Sequence, residues 1–496
     1  MGRCPVAALS FARRLHGMEL LLTLVTSTLW FLLAITILVF VHELGHFLTA
    51  KYFGMRVERF SIGFPPTLLG RRYGNTEYAV GATPLGGYVK ISGMIDESLD
   101  TDHTEQEPEP WEFRAKPVWQ RIVVISAGVV FNVILAIFIF AGIKWAEGET
   151  YIPAQNVEQV YVNEGSVAYE IGLRTGDQIL EVNGQPFERF DQIAPPAIVA
   201  ADSLTVTVQR DGEEKRLLGP SNIITQLSQA QNSGQGFGLG YYPPLIGQVQ
   251  QGSPADSIGI QSADRILAIN GDTVRFWQEM VTMIQETEGK PFQIRWRRAD
   301  SLQADSLRPS ATVVRADSEA TVFEASVTPM YDEEQERHLL GIVAPSSTPA
   351  GRQLLYREIG VQHEDFGVLG AVRAGAAEAW QTSRNIVVTL QRVITGRDDF
   401  RQSIGGPVMI AKVTSDAAQA GLVPFWRLVA LLSVTLAIMN FLPIPALDGG
   451  QFMFLVYEGI TRRPPSVRVR LIAQQAGMIL LLGFMAFVIF NDILRL

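Results

Sequence analysis

The sequence predicts a polytopic α-helical membrane protein with four transmembrane helices, a cytoplasm-side β-region and two extracytoplasmic α+β domains. Three observations predict it. Leu20 to Val41, Ile122 to Trp145, Phe425 to Leu442 and Leu471 to Ile489 are apolar runs close to the roughly 20 residues that cross a bilayer. Lys and Arg gather in the loops that such spans place on one side, and a motif in the long middle segment occurs twice.

The elements follow in chain order. Residues 1–17 are polar and basic, and Met18 starts MELLLTLVTS directly ahead of the first apolar run, so translation is expected to begin at Met18 with 1–17 a non-native extension. A signal peptide fits less well, because the run is too long and lacks a small-residue cleavage site. Span one occupies 18–54 and ends in HELGH. Residues 55–120 hold TEYAVGATPLGGYVKI, an alternating stretch that reads as β-hairpin strands, and then an acidic stretch, Asp96 to Glu112, read as a solvated loop. Span two covers 121–146.

The segment from 147 onward carries the repeat. EGSVAYEIGLRTGDQILEVNGQPF (Glu164–Phe187) aligns without gaps on QGSPADSIGIQSADRILAINGDTV (Gln251–Val274). Each copy reads as a short helix, a Gly-containing turn, a strand and an Asn-Gly turn requiring positive φ. Tandem domains are expected at 147–236 and 237–345, and the pattern resembles circularly permuted bacterial PDZ domains. Asp177 and Asp264 recur in a turn context and are expected to be structural. Arg297 to Glu319 reads as a polar excursion within the second copy. A linker covers 346–423, with an amphipathic helix at Gln381–Ile394 lying on the membrane. Span three, with LDGG, occupies 424–460, and a basic loop with span four occupies 461–496.

Orientation follows from the basic loops. Arg462, Arg463, Arg468 and Arg470 precede span four, and Lys51, Arg56, Arg59, Arg71, Arg72, Arg114, Lys116 and Arg121 lie between spans one and two. Both loops are expected in the cytoplasm, with the repeats outside it. The net charge of −9 argues against nucleic acid as a partner, and the single cysteine, Cys4, excludes an intrachain disulfide and a cysteine-based metal site.

Ionisable groups in an apolar span are costly and by default functional. His42 and His46 leave one helix face a turn apart, so both imidazoles can grip one metal ion, and Glu43 between them is placed to act as general base toward an activated water. Such a site needs a third protein ligand. Asp448 is the only acid or histidine across Pro424–Gln451, in a stretch interrupted by Pro443 and Pro445 and followed by Gly449 and Gly450. Broken helix is tolerated in a membrane where protein or a water-filled cavity satisfies its backbone. Capping of the following helix is the plainer use of that Asp.

HELGH, NFLPIPALDGG and the tandem repeats together resemble the bacterial site-2 proteases of the regulator-of-sigma-E type, from about Met18 to Leu496. The resemblance implies an intramembrane zinc metalloprotease with His42, His46 and Asp448 on Zn2+ and Glu43 as general base. It implies a membrane-associated β-sheet at Gly63–Met94 that takes up substrate as an added strand, with Gly86, Gly87 and Tyr88 among the contacts. Asn440 is implied as a substrate or oxyanion contact. Asn132 matches a family asparagine usually preceded by Gly-Pro, although here Gly128 is followed by Val129. GGPVMIAK, Gly405–Lys412, also matches and has no role legible in sequence.

The expected substrates are single-pass transmembrane proteins of the anti-sigma-factor kind, trimmed beforehand by another protease, with the repeats filtering them. The expected location is the bacterial cytoplasmic (inner) membrane, in the lipid bilayer. A membrane scaffold with PDZ domains and a vestigial metal site is the alternative, against which the intact Glu43 counts. A metal transporter would require ionisable groups in the centres of spans two and four, which contain none.

Overall fold

The computed structural model describes residues 6–94, 107–193, 204–220, 222–232, 236–299, 312–316, 320–333, 336–399 and 405–495. Of the expected polar excursion, residues 300–311 and 317–319 lie outside them, whereas 297–299 and 312–316 are strand residues. Most of the expected acidic loop and the first five residues of the expected extension also lie outside. The chain divides into two units, Met1–Gly148 with Asp365–Gly396 and Phe400–Leu496, and Glu149–Glu364 with Arg397–Asp399.

Among the described residues of the first unit, four helices are long and apolar enough to cross a membrane: Val25–Tyr52, Val118–Glu147, Leu422–Phe441 and Val467–Leu494. The first is part of α1 (Val6–Tyr52), which carries HELGH within its last turns. Two strands follow, β1 (Val57–Tyr73) and β2 (Thr76–Ile91), then α2 (Val118–Glu147). Beyond the second unit come α3 (Val368–Ile394), α4 (Pro407–Ala420), α5 (Leu422–Phe441), α6 (Asp448–Thr461) and α7 (Val467–Arg495).

The stretch read as hairpin strands is the single strand β2, and its partner is the preceding β1. The turn lies at Gly74 and Asn75, between the paired Tyr73 and Thr76, with Gly74 at φ +61°. Residues 59–62 of β1 pair with Glu77–Val80 on one side and with Gly87–Lys90 on the other. The first half of β1 is therefore central, and the second half of β2 forms an edge. Phe60 pins this sheet to α1 through Phe40 and Phe47, at ring distances of 6.0 and 5.1 Å.

α1 and α2 cross closely because both are small where they meet. A Cβ on Gly45 would stand 2.5 Å from the Ala127 carbonyl oxygen, the close backbone approach that small residues permit between membrane helices. The amphipathic helix expected at 381–394 begins thirteen residues earlier, in α3. Its first half packs along α2 through Ala371, Gly375 and Ala379, all buried, and Glu378 pairs with Lys144 at 3.3 Å. Small residues four apart make a stripe on one helix face, so this half has a helical partner.

GGPVMIAK acquires a structural explanation. Asp492 of α7, 3% exposed, accepts hydrogen bonds from the backbone N–H groups of Gly406, Val408 and Met409 at 2.9, 3.1 and 3.0 Å. Its carboxylate thus satisfies the N-terminal donors of α4, and its charge sits at the positive end of the helix dipole.

Among the described residues the second unit contains, besides four two-stranded sheets, two larger antiparallel ones. One is four-stranded, ordered 185–186, 178–182, 205–210, 213–218. The other is five-stranded, ordered 272–273, 265–269, 292–299, 320–327, 312–316. Each repeat copy supplies a Ser-capped four-residue helix, Val167–Glu170 or Pro254–Ser257. Each also supplies an Asn-Gly turn at positive φ, with Asn183 at 55° and Asn270 at 50°. Part of the expected linker belongs here: Pro349–Glu358 is helical, and Gln362–Glu364 pairs with Glu149–Tyr151.

Asp177 and Asp264 are each 0% exposed, and each is held by an arginine absent from the repeat motif. Arg210 donates to both oxygens of Asp177 at 2.6 and 2.8 Å and to the Gly172 carbonyl. Arg298 donates to Asp264 at 2.8 and 2.7 Å and to the Gly259 carbonyl. Each carboxylate also accepts a backbone N–H, from Arg174 or Gln261. Removing one partner of a buried pair strands the other charge, at a cost of about 3–5 kcal/mol. Arg298→Met is therefore expected to speed hydrogen exchange in strands 265–269 and 292–299, and adding Asp264→Leu to restore most of the protection. Unchanged exchange in the single variant would show that the pair does not brace this lobe.

Candidate metal centre

The helical spacing of HELGH brings His42 and His46 together, with Nε2 atoms 3.2 Å apart and both side chains buried. Asp448 opens α6 after the break at Pro443–Pro445, and its Oδ2 lies 3.0 Å from His42 Nε2 and 3.4 Å from His46 Nε2. The cap of α6 is Leu447, without a side-chain hydrogen bond, so the Asp448 side chain turns to the histidines instead of closing the helix. One donor atom from each of the three residues falls within 4.8 Å of the others.

Three observations test whether this cluster suits a metal ion. Two imidazole nitrogens and one carboxylate oxygen are a zinc-type donor set with a position left open. Asp448 Oδ2 is buried without a hydrogen-bond donor. A Cβ built on Gly128 of α2 would stand 2.5 Å from His46 Nε2 and 2.6 Å from His42 Cε1. The glycine therefore keeps the space over the two rings open. The residues fit.

A ligating imidazole needs its other nitrogen occupied, which sets the tautomer and the ring orientation. His46 Nδ1 lies 2.8 Å from the Val124 carbonyl oxygen and donates to it, freeing the Nε2 lone pair. His42 Nδ1 lies 3.2 Å from the Asn132 side-chain amide. Asn132 is 0% exposed, its Oδ1 has no other partner, and Ser433 of α5 fixes its backbone at 2.8 Å. Oxygen and nitrogen of an amide are interchangeable in shape. With Oδ1 turned to the ring, Asn132 accepts from His42 Nδ1–H, and His42 Nε2 is freed as well. Asn132→Leu is expected to weaken metal affinity about 10- to 100-fold, the range for such partners, as read by chelator competition. Unaltered affinity would rule the orienting bond out.

Among the other expected site residues, Glu43 interacts electrostatically with His42, His46 and Asp448 and takes a hydrogen bond from the Val89 N–H of the β2 edge. Gly87 is beside it, since a Cβ there would approach Glu43 Cγ to 3.6 Å. Gly86 and Tyr88 instead meet Phe64. Asn440 Nδ2 lies 3.5 Å from His42 Nε2, on the donor side of the cluster. Asn132, expected among substrate contacts, is enclosed behind His42. Sequence reasoning passed over Gly128 as a ligand-space residue. Its signal was a glycine four residues before Asn132 in an apolar span.

The family model of peptidase family M50 matches residues 30–484. The regulator of sigma-E protease RseP of Salmonella typhimurium is 30% identical over 484 residues, covering 95% of this chain and 100% of its own. That of Escherichia coli is 30% identical over 485 residues with the same coverage. A putative zinc metalloprotease of Vibrio cholerae is 30% identical over 486 residues, again with 95% and 100% covered.

Proposed function

This chain belongs to peptidase family M50, and from that premise we propose that it is a zinc endopeptidase that cuts single-pass proteins within their membrane-spanning segments. The observation that carries the reading is where the donors sit. Two of the three come from a helix long and apolar enough to cross a membrane. A metal centre there serves peptide bonds that a soluble protease does not reach.

His42, His46 and Asp448 would hold a zinc ion, which when bound would supply Lewis acidity toward a water and the scissile carbonyl. Glu43, at the cluster, takes the proton from the attacking water and returns it to the leaving amine. Asn440 is within reach to donate from Nδ2 to the developing oxyanion, and Asn132 and Val124 hold the imidazoles in their ligating tautomers. Residues 87–91 pair with 57–62 on one edge, and on the other the Val89 N–H points to Glu43. An unwound substrate segment added at that edge would find hydrogen-bonding partners for its backbone as it reaches the base. Gly87, without a side chain, leaves the approach open.

The two lobes of the second unit are read as PDZ domains, outside the cytoplasm of a bacterial inner-membrane protein, filtering substrates of the anti-sigma-factor kind after a first cut. The basic residues at Arg462–Arg470 support that orientation. The test is cleavage of a tagged, externally trimmed single-pass protein in proteoliposomes, with the product ends mapped by mass spectrometry. Ends inside the apolar segment support intramembrane proteolysis, whereas ends confined to the flanking polar residues would reject it.

A further inference from the structure

We propose a phosphate-binding site at the α2–α6–α7 junction, separate from the metal centre and suited to a phospholipid headgroup. A cavity of about 170 Å³ is lined by Arg114, Arg121, Glu458, Arg470 and Gln474, among others. All three arginines hold a buried guanidinium nitrogen without an acceptor: Arg114 Nη2, Arg121 Nε and Arg470 Nε. Buried donors of this kind are costly unless met.

The protein's own carboxylates do not meet them. Glu458 accepts from Arg121 Nη1 and Nη2 at 3.0 and 2.6 Å, and Glu112 accepts from Arg114 Nε. Three guanidinium charges against these two carboxylates leave one positive charge in excess. A tetrahedral oxyanion presents several acceptors to converging forks, the geometry for which arginine is suited.

The position favours a lipid as its source. Arg121 and Arg470 each sit in the first turn of a helix apolar and long enough to cross a membrane. That is the level of the lipid phosphates, and Trp119, in the same first turn as Arg121, is 58% exposed, as interfacial aromatics are. Basic pockets between membrane helices take headgroups by this chemistry. Glu458 lies on α6, whose first residue is Asp448, so an occupant braces the helix that carries the third donor.

The experiment compares the full-length wild type with Arg470→Gln and Gln474→Glu in phosphatidylglycerol nanodiscs. Lipid retained after extraction is counted by native mass spectrometry, and thermal shifts with millimolar inorganic phosphate are read in parallel. Gln474→Glu keeps every arginine and sets a carboxylate in the cavity, so it decides the matter even where Arg470→Gln folds poorly. Retention of phosphatidylglycerol by wild type, falling at least tenfold in the variants, establishes a lipid phosphate. A shift with inorganic phosphate alone, lost in the variants, establishes the anion site with free phosphate as its source. Equal retention and equal shifts in all three proteins, or none in wild type, overturn the proposal.

Discussion

Glu43→Gln is expected to lower proteolysis by about 10²- to 10⁴-fold and to leave the metal in place. That magnitude is what a positioned general acid–base contributes, and the substitution touches nothing else of weight. Gln matches Glu in shape, so the contact with the Val89 N–H survives through the amide oxygen. None of the three donors on the candidate ion is altered, since they are His42, His46 and Asp448. Metal content measured on both proteins, beside cleavage of the same trimmed substrate, separates the outcomes. Metal in both with cleavage by wild type alone assigns the proton transfers to Glu43. Equal cleavage by both would move the base elsewhere, and failure of both to bind metal would return weight to a scaffold built on the second unit.

Gly128→Ala is expected to empty the metal centre while the helices stay folded. Alanine is about 1 kcal/mol more favourable than glycine within a helix, so α2 loses nothing by the change. The added methyl would stand 2.5 Å from His46 Nε2 and 2.8 Å from His42 Nε2, closer than carbon and nitrogen can approach. Neither ring can yield freely, since Val124 holds one and Asn132 the other. Metal affinity should therefore fall by at least the ~100-fold reached when a supporting partner is lost, with circular dichroism and melting unchanged. A variant that keeps its metal would show that the rings move aside and that Gly128 serves helix packing alone.

The sequence by itself determined the span count and the donor chemistry of the metal cluster, because each rests on local pattern. An apolar run long enough to cross a bilayer, two histidines four apart on a helix and an acid after a proline-broken stretch are legible without knowing what they touch. The repeat disclosed its own turns in the same way, since Asn-Gly implies positive φ wherever it stands.

What only the tertiary structure decided concerns partners far apart in the chain. Arg210 and Arg298 lie beyond the repeat motif, so no alignment of the two copies pairs them with Asp177 and Asp264. Asp492 reaches the N-terminus of α4 from 86 residues away, which gives GGPVMIAK its meaning. β2 could not be told from a hairpin, because alternation records which faces a strand shows and not which neighbour it pairs with. Asn132, expected as a substrate contact, is enclosed with its side-chain amide 3.2 Å from His42 Nδ1, and Gly128, the residue before the departure at Val129, leaves the space above two imidazoles. Spacing along a helix specifies which side chains share a face. Which backbone lies opposite that face, and how close it comes, is set by the packing of helices that are distant in sequence.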